Sequence, residues 1–333
     1  MKKKRVIIVG SGLAAWSAHT YLEAKGVKTT ILEKSRGVGG RMATRRIGEG
    51  RADHGAQFFT ARSEEMKQLV QEWEKNGWIK EWNKGFAGAE DAADGIITED
   101  GGDGHPRYTG MEGMSPLVKK LWKGKDIHTS HLVQTIKPGK EGWIVEGEAG
   151  EDHFFFSAEG VLVTSPMPQT LALFPEFPGS SKDKKALEGL TYEKSIGLMI
   201  AYSGETGIPE AGGIQWEKGD IAFAGCNYQK GISKKKILTV HASGQWSGTH
   251  WEEADNVLKD ALLQKIDWLL ADAEIQEVQV KKWRYAKPDV LFPERSISWK
   301  EPAPAAFAGD IFKEGKVEGA VLSGRHAAEQ LFK

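Results

Sequence analysis

Residues 6–33, VIIVGSGLAAWSAHTYLEAKGVKTTILE, restrict the possible folds more than any other stretch of the chain. The run from Val6 to Val9 is short, apolar and rich in β-branched residues, the mark of a buried parallel strand. It leads into Gly10-Ser11-Gly12-Leu13-Ala14-Ala15, the pattern G-x-G-x-x-G/A, and then into a helix-like segment reaching about Ala24. Gly26 stands where a glycine ends a helix. A second β-branched run, Val27 to Leu32, delivers Glu33 and Lys34. Each small residue has a physical reason to be there. Gly10 permits the tight turn, Gly12 lets backbone approach a pyrophosphate, and Ala15 lets helix and strand pack closely. The helix start offers unpaired N–H groups and a positive dipole end to phosphates, and Glu33 can accept hydrogen bonds from a ribose diol. Strand, helix, second strand and terminal acid in this order predict a dinucleotide-binding unit.

The basic start, Met1-Lys-Lys-Lys-Arg5, followed by an apolar run, also has the outline of a secretory signal. Gly10 and Gly12 interrupt that run, however, and cleavage near Ala18 would destroy the nucleotide motif, so a lead-in to the first strand is the expectation. With 333 residues the chain has room for two domains. Lys+Arg 45 against Asp+Glu 46 leaves a net charge of −1, which gives no basic patch for nucleic acid. No apolar run is long enough to span a membrane. Cys226 is the single cysteine, so no disulfide can form within the chain and the cytoplasm is the default compartment. The Gly- and Asp-rich stretch 95–104 reads as a flexible loop.

After Glu33 comes Ser35-Arg36-Gly37-Val38-Gly39-Gly40-Arg41. It resembles the second flavin fingerprint, R-x-x-G-G-R, of flavoproteins of the glutathione-reductase and amine-oxidase type. Gly40 lets the chain pass close to a cofactor, and Arg41 can neutralise phosphates with its fork of donors. Next is Asp53-His54-Gly55-Ala56-Gln57-Phe58-Phe59-Thr60. The three elements in this order resemble renalase and its bacterial relatives, FAD-dependent oxidases related to the flavin amine oxidases. The likeness is strongest over residues 6–62 and returns in islands downstream. It implies that Leu13, Ala14, Arg41, Gln57 and Phe58 belong to a non-covalent FAD site. His54 has no counterpart in that set and reads as a surface histidine.

Ser63 is placed to cap a helix running to about Lys75, with Met66, Leu69, Val70 and Trp73 on one face. Trp78 and Trp82 read as core. Tyr108 to Leu117 resembles the family's glycine-methionine element, with Ser115 and Pro116 opening a helix. Strands are expected at 127–136, 142–148, 153–158 and 160–164, and by analogy the Val133 backbone is a candidate for the adenine. His128, His131 and His153 lack metal-ligand spacing and read as exposed strand residues, so no metal site is expected. Val161 to Thr164 is an apolar strand stopped by Pro166 and Pro168. Further strands are expected at 195–202, 213–216, 221–226 and 237–242, then one amphipathic helix from Glu252 to Ala271.

The resemblance carries His241 to the position of an active-site histidine and Trp283, in Lys282-Trp-Arg-Tyr285, to the family's W-R-Y element beside the flavin. An indole can pack on a nicotinamide ring and a neutral imidazole can hydrogen-bond its carboxamide. Core packing is the alternative for both. Asn227 is a weaker catalytic candidate, and Cys226 reads as a small buried apolar residue. Near the C-terminus, Ala308-Gly309-Asp310 offers an acid to ribityl or ribose hydroxyls. Glu318, Gly319 and Ala320 open a last helix whose N–H groups can stabilise charge on a reduced flavin.

The expected fold is an α/β two-domain flavoprotein. A Rossmann-like FAD domain of the p-hydroxybenzoate hydroxylase and amine oxidase type takes residues 1–62, 107–172 and 300–333. A mostly antiparallel substrate domain takes 63–106 and 173–299. The resemblance implies oxidation of 2- or 6-dihydro isomers of NAD(P)H, by hydride transfer to flavin N5, with O2 as acceptor and NAD(P)+ and hydrogen peroxide as products. Two alternatives stay open. An amine oxidase or other flavin desaturase would want an aromatic cage, for which Trp299 and Phe307 before Gly309 are not an obvious pair. A flavin-binding protein without turnover is the other.

Overall fold

The computed structural model describes residues 4–89 and 103–333, so most of the glycine-rich 95–104 stretch lies outside the described residues. The chain divides into two compact units. One comprises residues 4–40, 118–192 and 288–333, and the other Arg41–Leu117 and Glu193–Lys287.

The first unit is built on the βαβ motif. Strands Arg5–Val9, Lys28–Leu32 and Gly160–Val163 pair in parallel, with Val6 to Val9 opposite Gly160 to Val163 on one side and Thr29 to Leu32 on the other. Their apolar runs are buried because the sheet is covered on both faces. Strand Ala305–Phe307 adds in parallel beside Gly160–Val163, and Ile297–Trp299 closes that edge antiparallel. The last strand of the first unit's six-stranded sheet therefore comes from far along the sequence. Helix Leu13–Ala24 ends at Lys25, and Gly26 takes φ +74, as a helix-ending glycine does. Helix Lys316–Gln330 packs on it so closely that a Cβ on Gly324 would stand 2.0 Å from the Ala14 carbonyl oxygen. A three-stranded meander, Leu132–Gly139, Gly142–Ala149 and Asp152–Ala158, completes the unit.

The second unit is organised on a six-stranded sheet. Strands Tyr192–Ser203, Ile237–Ala242, Ile221–Cys226 and Gly213–Trp216 run antiparallel to their neighbours, and Ala87–Ala89 joins in parallel. The long strand Glu274–Pro288 forms the other edge. Leu198, Ile200, Leu238 and Val240 point into a core shared with Leu258, Leu262, Ile266, Leu269 and Leu270. Helix Glu64–Lys75 starts at Ser63, whose Oγ accepts the Met66 N–H at 3.2 Å, with Met66, Val70 and Trp73 buried.

Two local expectations are corrected. The single helix from Glu252 to Ala271 is two, Asp255–Lys265 and Asp267–Leu270. They break at Ile266, whose φ of −116 leaves the helical region as its side chain turns into the core, while Val257 is exposed. His128 and His131 are half-buried, packed on each other and on Phe156, because their short connection is folded under the meander. The two compact units divide the chain at positions other than those of the expected domains. Residues 173–192 and 288–299 join the first unit because Leu187 enters its core and Ile297–Trp299 pairs with Ala305–Phe307. Residues 41–62 and 107–117 join the second, where Thr44–Ile47 pairs with Gly50–Asp53 and Ile79–Asn83 with Arg107–Gly110.

Candidate functional site

In the first unit the turn after strand Arg5–Val9 has the geometry the glycine pattern predicts. Gly10 takes φ +102 and donates to the Leu32 carbonyl at 2.8 Å. A Cβ there would stand 2.4 Å from Thr164 Oγ1, which is itself fixed by donating to the Val9 carbonyl at 2.9 Å. Gly12 is different. It caps helix Leu13–Ala24 with φ −74, a value open to any residue, and makes no side-chain cap bond. Among the described residues, no atom beyond its chain neighbours lies within 4 Å of where its Cβ would stand. That open space leaves room for a ligand, and the adjoining helix N–H groups suit a phosphate.

Glu33 is buried and oriented by its neighbours. One carboxylate oxygen accepts from Ser11 N at 3.0 Å and Ser11 Oγ at 2.7 Å, and the other from Ser35 N at 2.8 Å. A carboxylate offers about four acceptor positions, so a ribose hydroxyl can still be taken. Trp122, a residue no sequence pattern marks, donates its indole N–H to the Ser11 carbonyl at 2.9 Å and steadies the turn. Lys34 is exposed and donates to Gln169 at 3.1 Å. Leu13, Ala14 and Ala15 are buried, and Gly40 takes φ +55.

The C-terminal elements reach the same sheet end. Gly309 takes φ +153 and donates to Ser323 Oγ at 2.9 Å; a Cβ there would stand 3.9 Å from the Thr164 carbonyl oxygen. Asp310 follows it, 9% exposed. Helix Lys316–Gln330 starts after Gly315, with Glu318, Gly319 and Ala320 in its first turns. Val133 is buried in the meander, opposite Gly147 at a bulge.

The second unit carries a separate cluster. Arg41 donates to the Tyr285 and Ala286 carbonyls, at 3.3 Å each, so the G-G-R and W-R-Y elements meet. Gly55 is required beside it, because a Cβ would stand 2.0 Å from the Arg41 carbonyl oxygen. Trp283 donates its indole N–H to the His54 carbonyl at 2.7 Å, and the rings of Trp283 and His54 stack at 5.4 Å. His54 is therefore half-buried, and its reading as a surface residue is corrected: its ring packs on an indole distant in sequence. Its Nδ1 is buried without a partner among the described residues.

Gln57 is buried, its amide nitrogen facing the carbonyls of Asp53 (2.7 Å) and Gly55 (3.2 Å) and the Nε2 of His241 (3.1 Å). Its oxygen has no partner among the described residues. His241 Nδ1 lies 3.4 Å from Ser195 Oγ. Across the sheet stands Gly197, where a Cβ would come within 3.1 Å of His241 Nδ1. Phe58 packs on Phe86 and Phe223 rather than standing alone.

Asn227 is framework. Its oxygen accepts from Asp53 N at 3.1 Å, and its amide hydrogens go to the Ile237 carbonyl and Thr239 Oγ1. Its amide donors are thus already spent on the framework. Cys226 is buried, as expected.

Burial holds His241 down at about 4, helped by nearby His54 and Lys230. Burial also holds His54 at about 4, with Lys281 and Arg45 contributing. Both imidazoles are thus neutral at pH 7. The unfolded chain takes up these protons near pH 6.5, so between that pH and about 4 it binds more protons than the folded protein. The stabilisation is complete above about pH 6.5 and is lost as pH falls through that window. Urea denaturation across pH 7 to 4 should show a loss of up to about 3 kcal/mol per histidine. His241→Gln should flatten part of that slope.

A parallel strand-helix-strand unit with two glycine turns at one sheet end, joined in sequence to a mostly antiparallel second unit, defines a dinucleotide-binding protein of the two-domain type. The chain belongs to the flavin containing amine oxidoreductase family, whose description matches residues 91–332, while residues 8–73 match an NAD(P)-binding Rossmann-like domain. Among solved structures, it is similar to a protein from Exiguobacterium sp. 255-15 provisionally assigned as a protoporphyrinogen oxidase. The TM-score is 0.76 at 15% identity, over 99% of this chain and 98% of that one. Two putrescine oxidase variants with redesigned cofactor binding match with a TM-score of 0.75, at 14% and 15% identity, over 99% of both chains. These likenesses support the fold. Among the described residues no helix is long and apolar enough to cross a membrane, and no group of side chains could hold a metal ion.

Proposed function

We propose that the protein is an FAD-dependent oxidase of dihydronicotinamide dinucleotides reduced at the 2- or 6-position, releasing NAD(P)+ and hydrogen peroxide. The first unit fits FAD by the uncovered helix start at Gly12, the remaining acceptor capacity of Glu33 and the turn at Gly309-Asp310. Bound flavin would supply hydride acceptance and reoxidation by O2. The chain's own residues bind and orient. Glu33 accepts from a ribose, Gly10 and Gly12 bring backbone N–H groups to the pyrophosphate, and Arg41 and Val133 remain cofactor residues by resemblance. No side chain need give or take a proton, which suits a pair of histidines held neutral.

The observation that carries the choice of substrate is the charge around the second unit's cluster. His54 and His241 are uncharged; Lys281 and Arg45, both cationic, act on His54, while the Lys230 charge near His241 is balanced by Asp53. Such a field favours an anionic dinucleotide and opposes an ammonium substrate. The aromatic cage of an amine oxidase is also poorly supported. Phe307 is fully buried, and Trp299 packs on Phe177 and Phe307 within the first unit's core.

Two measurements test the reading. Under air, a mixture of dihydro isomers should give hydrogen peroxide and NAD(P)+ in equal amounts, and a panel of primary and secondary amines should give none. Peroxide from amines alone would establish the amine oxidase instead. Trp283→Ala and His241→Ala should each lower kcat/KM about tenfold or more with flavin still bound. Unchanged kinetics in both would remove them from the site.

A further inference from the structure

Asp53 and Lys230 form an ion pair that the reading above leaves unused. Lys230 Nζ lies 2.6 Å from Asp53 Oδ2, with the two side chains 1% and 0% exposed. The other Asp53 oxygen accepts from Thr44 Oγ1 at 2.5 Å and from Met114 N at 2.9 Å. Lys230 also lies over the Trp82 ring, 4.9 Å from its centre. Two charges taken wholly out of water are a weak source of stability, since apolar residues of similar volume often serve as well. A fixed buried pair more readily supplies position.

We propose that the Asp53–Lys230 pair is a positioning device that aims the Gln57 amide and thereby fixes the proton of His241 on Nδ1. The backbone of Asp53 is held on both sides of its carboxylate. Its N–H is bound by Asn227, and its carbonyl accepts from Thr239 Oγ1 at 2.9 Å and from Gln57 at 2.7 Å. The carbonyls of Asp53 and Gly55 can only accept, so the amide group facing them must be NH2. That same nitrogen faces His241 Nε2 at 3.1 Å. A proton on Nε2 would set two donors against each other, so Nε2 accepts and Nδ1 carries the hydrogen, toward Ser195 Oγ. The arrangement leaves the Gln57 oxygen as a buried acceptor without a partner among the described residues. The charged and titratable groups acting on His241 are Lys230 and His54, and neither reverses this order.

Asp53 and Lys230 are thus positioning residues, and a single tautomer of His241 is their product. The inference rests on the proposed function only in supposing that this cluster serves the oxidase.

The test is long-range 1H–15N correlation of histidine-labelled, flavin-loaded protein at pH 7.5, with His241 assigned by its absence in His241→Gln. The expected wild-type pattern is a protonated Nδ1 and an unprotonated Nε2. The double variant Asp53→Asn/Lys230→Met removes both charges together, so none is left buried and unpaired. It should keep flavin but show His241 as a mixture of tautomers, with kcat for the dihydro isomer reduced at least tenfold and KM little changed. Gln57→Leu, which leaves the ion pair in place, should give the same mixture and guards against misfolding of the double variant. A wild-type His241 protonated on Nε2, or an unchanged single tautomer in either variant, would overturn the proposal. If no dihydro isomer reduces the wild-type flavin, the functional reading fails while the tautomer result still decides the positioning claim.

Discussion

Gly12→Val is expected to abolish flavin retention while leaving the protein folded. The two glycines of the turn make opposite demands, and this gives the experiment its resolution. At Gly10 a side chain meets Thr164 Oγ1 and a left-handed backbone, so a substitution there damages folding and binding together. At Gly12 the backbone angle suits any residue, and none of the described residues beyond its neighbours stands where the side chain would go. Valine is a poorer helix cap than glycine, which costs less than about 1 kcal/mol. A branched side chain between the helix N–H groups and a pyrophosphate would remove the close approach altogether. We expect affinity for FAD to fall at least a hundredfold, measured by flavin fluorescence on reconstitution, with a melting temperature of the flavin-free protein within a few degrees of wild type. Normal flavin content in this variant would show that the dinucleotide does not lie on that helix start.

The second large effect concerns stability. Lys230→Met is expected to destabilise the protein by about 3–5 kcal/mol, because it leaves the Asp53 carboxylate buried without its counter-charge. Burial draws the Lys230 ammonium below its ordinary value, against the opposing pull of Asp53. The pair therefore exists at a considerable desolvation cost, and removing one member keeps the cost and loses the attraction. Adding Asp53→Asn to Lys230→Met should recover most of the loss, since the amide oxygen still accepts from Thr44 and Met114 and carries no charge. Urea denaturation of the single and double variants measures both. A loss below about 1 kcal/mol in the single variant would mean that water or a neighbouring group relieves the carboxylate.

The parts of the fold that can be read from the sequence are those decided by neighbours a few residues apart. The turn at Gly10, the acid at Glu33, the cap at Ser63 and the strands Gly213–Trp216, Ile221–Cys226 and Ile237–Ala242 all follow from local chemistry. The second unit's cluster does not. His54 stacks on a tryptophan 229 positions away, and Asp53 pairs with a lysine 177 positions away. Neither partnership leaves a periodicity or a spacing behind it. A buried lysine in the turn Tyr228-Gln229-Lys230-Gly231 looks like any solvated one. The aspartate preceding His54 is visible only as part of a motif, and its ion pair is not. The break at Ile266 is hidden for a related reason, since a hydrophobic stripe continues through a kink when the next turn buries the same core.

Under the proposed function the cluster would work without a charged acid or base. Two imidazoles kept neutral by burial, one glutamine and one indole offer hydrogen bonds and a flat apolar face. They would orient the nicotinamide ring of the substrate.

Anaerobic flavin absorbance tests the central claim most directly. Purified protein carrying its flavin is mixed under exclusion of oxygen with the separated 2- and 6-dihydro isomers, with ordinary 4-dihydro NADH and NADPH, and with amines. We expect rapid loss of the flavin's visible absorbance with one of the two unusual isomers, little with the 4-dihydro forms or amines, and full recovery with peroxide on admitting air. Reduction by amines alone, or by no dihydro isomer, would contradict the account.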